Sequence, residues 1–227
     1  MTSTAILIPA RYNSTRFPGK PLAMLDSIPM IKRVYDACTA SKIPTYVLTD
    51  DVRIASVFQN TSVIIEDTDY INGTERCAGA SKLDYMQKYD KFINVQGDMP
   101  DINRKIIRAV KDKLDLYDVT TAYTSMPKDL LKDPNCVKLI RTGDYAHWFC
   151  RAKLAYGDWH LGIYGYRSGL APLLKDTKPS KEEEIEKLEQ LRWIQNNVEI
   201  GCVEVEFNGI EINTPEDVKE WHKQNSR

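Results

Sequence analysis

Short apolar runs alternate with amphipathic stretches along the first half of the chain. Residues 5–8, 45–48 and 92–95 have the composition of buried strands, whereas residues 30–39 and 74–87 have the apolar spacing of helices. Strands that alternate with helices are typical of βαβ units, so we expect an α/β fold with a doubly wound sheet. The loops that follow residues 8, 48 and 95 would then lie at the carboxyl edge of that sheet, where such folds bind ligands.

The pattern is looser beyond this region. We expect a helix over residues 106–114, a strand over residues 119–123 and a hairpin that turns at residues 142–144. Residues 127–166 are predicted to form a small β-rich insertion. Because no linker or repeat interrupts the pattern, residues 1–227 are predicted to form one domain.

The last part of the chain predicts two helices. Thr214 followed by Pro215 is typical of a helix start, since Thr caps the first turn and Pro fits its first position. Before that, apolar residues recur at helical spacing and predict one continuous amphipathic helix. The residues of this stripe are Ile185, Leu188, Leu191 and Ile194.

Composition excludes several classes of protein. The chain has 227 residues, and its formal net charge is −1, so no global basic field favours a nucleic-acid partner. It has neither an apolar run of about 20 residues nor a signal sequence, so we expect a cytoplasmic protein without a membrane partner. The five scattered cysteines, without a C-x-x-C pair, are typical of reduced structural thiols. Any anion site must therefore be a local cluster of charge.

One such cluster follows the first predicted strand. Arg11, Arg16 and Lys20 lie in the short segment 11–20, with Ser14 among them. We call this segment the basic loop. Guanidinium forks and an ammonium charge suit the oxygens of a polyphosphate. The spacing is not that of a Walker A loop, so a P-loop NTPase is not indicated. The alternative is that these are ordinary solvated loop charges.

A carboxylate follows another predicted strand. Asp98 comes just after the apolar residues 92–95 and beside Gly97, so it would lie at the same edge of the sheet as the basic loop. A polyphosphate usually arrives with Mg²⁺, which prefers oxygen ligands. Asp98 is therefore a candidate metal ligand, and the alternative is that it only organises the turn.

Several segments, taken in order, resemble one family. "IPARYNSTRFPGKPL", "NGTER", "NVQGD", "NCVKLI", "AHWFCR", "HLGIYGYR", "KLEQLR" and "INTPEDV" together resemble the 3-deoxy-manno-octulosonate (Kdo) cytidylyltransferases, also called CMP-Kdo synthetases. The resemblance implies a Rossmann-like α/β nucleotidyltransferase with a mainly parallel central sheet, whose insertion at about 127–166 serves dimerisation and the sugar side. The expected assembly is a homodimer.

The resemblance also implies a reaction. CMP would be transferred from CTP to the anomeric hydroxyl of a 3-deoxy-ulosonic acid, with release of pyrophosphate and with Mg²⁺ as cofactor. Kdo is the first choice of acid, and its product would feed lipopolysaccharide or capsule assembly. The alternatives are the same chemistry on 8-amino-Kdo, a sialic acid or a related sugar acid, or a nucleotide-binding relative without catalysis.

The resemblance assigns roles to residues by matching motifs. The backbone near Pro9 and Ala10 would line the base pocket, while Arg11, Ser14, Arg16 and Lys20 would hold the CTP phosphates. Arg76 and Gln96 would contact nucleotide or sugar, and Arg151, His160, Tyr164, Glu189 and Gln190 would face the sugar acid. Arg151 and His160 would supply positive charge to its carboxylate. Catalysis would depend on Arg11, Arg16, Lys20 and Asp98, the last as a ligand of Mg²⁺.

The sequence departs from the family pattern at three places. Met99 stands where the family has Glu, and Asn213 stands where it has an Asp that can be a second Mg²⁺ ligand. Glu211 lies two residues earlier on the same strand face and is an alternative ligand, so the predicted metal set is Asp98, Glu211 and Asn213. The segment 152–159 has only eight residues, fewer than in typical Kdo enzymes.

Overall fold

A single large β-sheet organises the molecule, as seen in a computed structural model that describes residues 3–14, 16–58, 62–65, 70, 72–170 and 177–226. The strands of this sheet are β1 (Thr4–Pro9), β4 (Thr45–Thr49), β5 (Val63–Ile65), β6 (Lys91–Val95), β7 (Val119–Thr124), β8 (Lys138–Thr142), β9 (Tyr145–Cys150), β10 (Asp158–Arg167) and β11 (Ile200–Glu204). A separate two-stranded hairpin consists of β2 (Met24–Leu25) and β3 (Ile28–Pro29). The predicted strands at residues 5–8, 45–48, 92–95 and 119–123 are all present.

The sheet is mixed. Its strand order is β5-β4-β1-β6-β10-β7-β11-β9-β8, and the first four of these strands pair in parallel. β10 lies antiparallel between β6 and β7, and β7 is parallel to β11. β8 and β9 form the predicted hairpin, whose turn contains Gly143 in the left-handed region, at φ 55°. Residues 127–166 thus supply the end of the sheet as well as most of a central strand.

Helices cover both faces of the sheet. They are α1 (Met30–Thr39), α2 (Val52–Ala55), α3 (Gly73–Ser81), α4 (Arg104–Lys113), α5 (Lys181–Glu186), α6 (Leu191–Gln195) and α7 (Pro215–Asn225). The predicted cap of α7 is confirmed, since Thr214 accepts a hydrogen bond from Asp217 N and the Asp217 side chain accepts one from the Thr214 backbone. Apolar side chains fill a core on each side of the sheet. Within the described ranges, no helix has the length and apolar character needed to cross a bilayer.

The single helix predicted over residues 185–194 is wrong. Lys187 adopts the left-handed conformation, at φ 56°, and ends α5, so the chain enters α6 in a new direction. Ile185 is 68% exposed, whereas Leu191 is buried. The two short helices are held together by a buried ion pair, in which Arg192 Nε lies 2.8 Å from Glu183 Oε2.

Candidate active site

Two adjoining cavities open at the carboxyl ends of β1 and β6. The larger has a volume of about 630 Å³ and the smaller of about 250 Å³. Each residue predicted for the site lines at least one of them. The smaller cavity is lined by Pro9, Ala10, Ser14, Lys20 and Arg76, the larger by Arg151, His160, Tyr164, Glu189, Gln190 and Glu211, and both by Arg11, Arg16, Gln96, Asp98 and Asn213.

The basic loop that follows β1 is closed on itself. Gly19 N donates a hydrogen bond to Tyr12 O at 2.9 Å, which joins the two ends of the loop. Gly19 has a φ of 72°, and a Cβ at this position would lie 3.2 Å from the Tyr12 ring. The Arg53 guanidinium stacks on the same ring, 3.3 Å from its centroid. These contacts fix the loop that carries Arg11, Arg16 and Lys20.

The basic loop contacts the candidate metal ligands directly. Lys20 Nζ lies 2.7 Å from Asp98 Oδ2, although the two residues are 78 positions apart in the sequence. Ile212 N donates to Asp98 O at 3.0 Å, and this bond brings the segment that precedes α7 beside the loop after β6. Arg16 Nη2 lies 3.5 Å from Asn213 Oδ1. The predicted grouping of the two loops at one edge of the sheet is therefore present.

Arg76 is a buried cation in α3. It is 4% exposed, and its Nη2 lies 2.6 Å from Asp50 Oδ2 at the end of β4. Its Nη1 is also buried and has no hydrogen-bond partner within the described part of the chain. A buried donor of this kind is costly unless a ligand satisfies it. Sequence reasoning places the loop after residue 48 at this edge but does not single out Asp50 within it.

Two carboxylates and an amide, those of Asp98, Glu211 and Asn213, line the larger cavity. The pKa of Glu211 is raised to about 7, chiefly by burial and then by the negative charge of Asp98, while the positive charges of Arg151 and Lys20 and a hydrogen bond with Asn213 act in the opposite direction. A divalent cation would relieve this repulsion, and oxygen donors are what Mg²⁺ prefers. The described residues contain no group of three or more His, Cys, Asp or Glu that could hold a metal ion by themselves. Asp98, Glu211 and Asn213 thus offer oxygen donors of the type that Mg²⁺ prefers.

His160 is a neutral group, which corrects the expectation that it supplies positive charge. Burial, together with the nearby charge of Arg151, lowers its pKa to about 3. Its Nε2 lies 3.0 Å from Thr121 Oγ1, and that hydroxyl donates to Ile163 O at 2.7 Å. Because the single hydroxyl proton of Thr121 is used, Nε2 of His160 must carry its own proton. The ring is therefore oriented by this hydrogen bond, and its lowered pKa keeps it neutral at neutral pH.

Arg151 is a cation that lines the larger cavity and not the smaller one. Its Nε donates to Glu186 O at 3.1 Å, and its Nη1 donates to Asn135 O at 3.0 Å and to Pro134 O at 3.3 Å. These acceptors are backbone carbonyls, which orient the guanidinium without neutralising its charge. An anion in the cavity therefore has a fixed positive group to meet.

An aromatic and polar wall completes the larger cavity. Tyr164 packs against Trp193 with ring centroids 5.7 Å apart, and its buried hydroxyl has no hydrogen-bond partner among the described residues. Burial raises the pKa of Glu189, while a hydrogen bond with Thr74 opposes this shift. Gln190 is 6% exposed. Trp193 and Thr74 also line the cavity. Sequence reasoning missed both residues, because the apolar spacing at 185–194 indicates only packing and no pattern singles out Thr74.

The chain matches one family of known proteins over most of its length. A family model described as cytidylyltransferase matches residues 5–200, and the chain belongs to this family. The cytidylyltransferases for 8-amino-3,8-dideoxy-manno-octulosonate of Shewanella sp. (strain ANA-3) and Shewanella oneidensis are each 35% identical to it, over 98% of this chain and 98% of theirs. These matches confirm the predicted family and enzyme class.

Solved structures agree with this assignment. The structure of CMP:2-keto-3-deoxy-manno-octonic acid synthetase complexed with CTP has a TM-score of 0.90 and 28% identity, and the match covers 99% of both chains. A second match is the 4-diphosphocytidyl-2C-methyl-D-erythritol synthase from Anaerococcus prevotii, with a TM-score of 0.68 over 100% of this chain and 99% of the synthase. At 14% identity, this match shows a shared fold alone. The predicted α/β nucleotidyltransferase fold is confirmed.

Proposed function

We propose that this protein transfers CMP from CTP to the anomeric hydroxyl of a 3-deoxy-manno-octulosonic acid and releases pyrophosphate. One observation carries the proposal: the cavity with the basic loop and the cavity with Arg151 share a wall at Asp98. A triphosphate in the first cavity and a sugar acid in the second would meet there. The names of the 35% identical relatives support an acid of this class.

The reaction requires the sugar hydroxyl oxygen to bond to the α-phosphorus of CTP while the bond from that phosphorus to pyrophosphate breaks. The protein therefore has to position two anions and to compensate their charge. Arg11, Arg16 and Lys20 supply fixed positive charge on the nucleotide side. Mg²⁺, held by Asp98 with Glu211 or Asn213, would neutralise phosphate charge when bound.

We propose that Arg76 donates a hydrogen bond to the base of the nucleotide. It lines the same cavity as Pro9, Ala10 and Gln96, and its buried Nη1 lacks an acceptor in the described part of the protein. An oxygen or ring nitrogen of a base would satisfy this donor. On the sugar side, Arg151 is proposed to meet the carboxylate, while the neutral His160 and the hydroxyl of Tyr164 offer hydrogen bonds.

Two acids are candidates. Kdo is favoured by the similarity to the synthetase structure, at a TM-score of 0.90. The acid with an amine at C8 is favoured by the relatives' names and by Glu189, a carboxylate in the wall of the larger cavity that would attract an ammonium group. Purified protein with CTP, Mg²⁺ and Kdo, 8-amino-Kdo or a sialic acid should release pyrophosphate with one of the first two. Turnover with the sialic acid alone would refute the proposed substrate class.

The same assay tests the alternative of a nucleotide-binding protein without catalysis. Asp98→Asn should abolish turnover, because it removes a carboxylate from the shared wall. Tight CTP binding with no turnover of any acid would instead support the alternative. We further propose that the protein acts in the cytoplasm as a homodimer and that its product enters lipopolysaccharide or capsule synthesis. Light scattering of the purified protein measures the oligomeric state.

A further inference from the structure

Lys138, at the start of β8, is a fully buried lysine with 0% exposure. Its Nζ donates to Asp133 O at 2.7 Å, to Cys136 O at 2.9 Å and to Arg151 O at 3.1 Å. An ammonium group has three protons, so its donor capacity is complete. Burying a charge that only neutral carbonyls accept is costly, and a Met side chain would fill similar space without that cost. The group therefore needs a role other than filling the core.

One acceptor of Lys138 belongs to Arg151, which lines the larger cavity, and the other two flank Pro134 and Asn135, which also line it. We call residues 133–136 the carbonyl loop, because each of its four carbonyls accepts a hydrogen bond from one of two cations. Lys138 binds the first and last of them, and Arg151 binds the carbonyls of Pro134 and Asn135 between them. Lys138 also holds the carbonyl of Arg151 itself. The two cations and the loop form one network, of which Arg151, Pro134 and Asn135 line the cavity.

The short segment 152–159 covers this network. Gly157 has a φ of 128°, which other residues rarely adopt, and a Cβ there would lie 3.2 Å from Lys138 Cβ. Trp159, two residues later, is the register partner of Lys138 where β10 pairs with β8. The chain therefore crosses directly over the lysine stem, and Lys138 as a whole is excluded from solvent.

We propose that Lys138 is a positioning residue for the sugar-acid part of the site. It does not contact the substrate. It holds the carbonyl loop and the backbone of Arg151, so that the guanidinium faces the larger cavity. The inference rests on the proposed function, in which Arg151 meets the carboxylate of the sugar acid. The smaller cavity shares no residue with this network, so nucleotide binding should not depend on it.

The test compares two buried lysines of the same sheet. Lys138→Met should raise KM for the acid about tenfold, as expected when one charge-assisted contact is lost, and should leave KM for CTP within about twofold. Lys91→Met is the matched control, since Lys91 is 4% exposed and its Nζ bonds to Asp115, remote from both cavities. It should change neither KM. Equal rises in both KM values, or none in Lys138→Met, would overturn the proposal.

A double-mutant cycle identifies the route of the effect. If Lys138 acts through Arg151, Lys138→Met combined with Arg151→Ala should have the same KM for the acid as Arg151→Ala alone. Multiplicative effects would show that Lys138 acts independently and would contradict the inference. If Lys138→Met does not fold, Lys138→Arg keeps the charge but enlarges the head group against the same carbonyls, and the same selective rise is expected.

Hydrogen exchange separates this inference from the proposed function. Lys138→Met should accelerate amide exchange in the carbonyl loop and leave exchange in the basic loop unchanged, whether or not any acid is turned over. Absence of turnover in the wild-type protein would refute the proposed function alone. Unchanged exchange in residues 133–136 would refute the role of Lys138 alone.

Discussion

The adjacent aspartates Asp50 and Asp51, after β4, allow a matched test of how the nucleotide side is held. Asp50 pairs with the buried Arg76 at 2.6 Å, while Asp51 pairs with Arg53, whose side chain is 55% exposed. Breaking a fully buried ion pair costs about 3–5 kcal/mol, whereas an exposed pair contributes about 0–1 kcal/mol. Since the Asp50 side chain is 42% exposed, we expect Asp50→Asn to cost about 1–2 kcal/mol.

That loss corresponds to a fall in Tm of about 2–8 °C for a domain of this size. Asp51→Asn should cost under about 0.5 kcal/mol, since Asn caps the start of α2 as well as Asp does. Asp50→Asn should also weaken CTP binding about tenfold, because the Arg76 guanidinium loses its orienting partner. Thermal unfolding and calorimetric titration with CTP measure both effects. Equal Tm and equal CTP affinity in the two variants would refute the reasoning.

Three further predictions concern the charge of the site. Lys20→Ala, which removes the ammonium 2.7 Å from Asp98, should raise KM for CTP and lower turnover in steady-state kinetics. Glu211→Gln should raise the Mg²⁺ concentration needed for half-maximal turnover more than Asn213→Ala does, because a carboxylate is the stronger ligand, and the reverse order would assign the ligand role to Asn213. The pKa of His160 is about 3 in the folded protein, against an ordinary value of 6.5, so the unfolded chain binds more protons between these values and stability falls as the pH decreases. In denaturant titrations, His160→Gln should remove up to about 2 kcal/mol of the stability lost between pH 7 and pH 5, and an unchanged loss in this variant would contradict the prediction.

The basic loop and Asp98 could be located from the sequence because each comes directly after a strand of the parallel part of the sheet. Each follows a buried apolar run, and the carboxyl ends of parallel strands meet at one edge of a sheet. This argument holds for residues that are far apart in the sequence, as the contact between Lys20 and Asp98 shows. The cap of α7 was also predictable, because Thr214 and Asp217 act within one turn.

Features that depend on tertiary contact could not be predicted in this way. Lys138 bonds to backbone carbonyls, which every residue has and which therefore leave no pattern in the sequence. The role of Asp50 becomes apparent only from its contact with Arg76 in the folded structure. The neutral state of His160 follows from burial, which periodicity does not reveal. Similarly, the left-handed Lys187 interrupts an apolar stripe that is regular in sequence, so the predicted helix at 185–194 was wrong. An alternation of apolar runs also gives no information about strand direction, so the antiparallel placement of β10 could not be predicted.

The central claim is that CTP and a 3-deoxy-manno-octulosonic acid react at the wall that the two cavities share. Phosphorus NMR of the protein with CTP, Mg²⁺ and Kdo or 8-amino-Kdo tests it most directly. With one of these acids, the three CTP signals should be replaced by one phosphodiester signal and the signal of pyrophosphate in a 1:1 molar ratio, and Asp98→Asn should leave CTP intact. Unchanged CTP with both acids, or release of free CMP without a sugar phosphodiester, would contradict the claim.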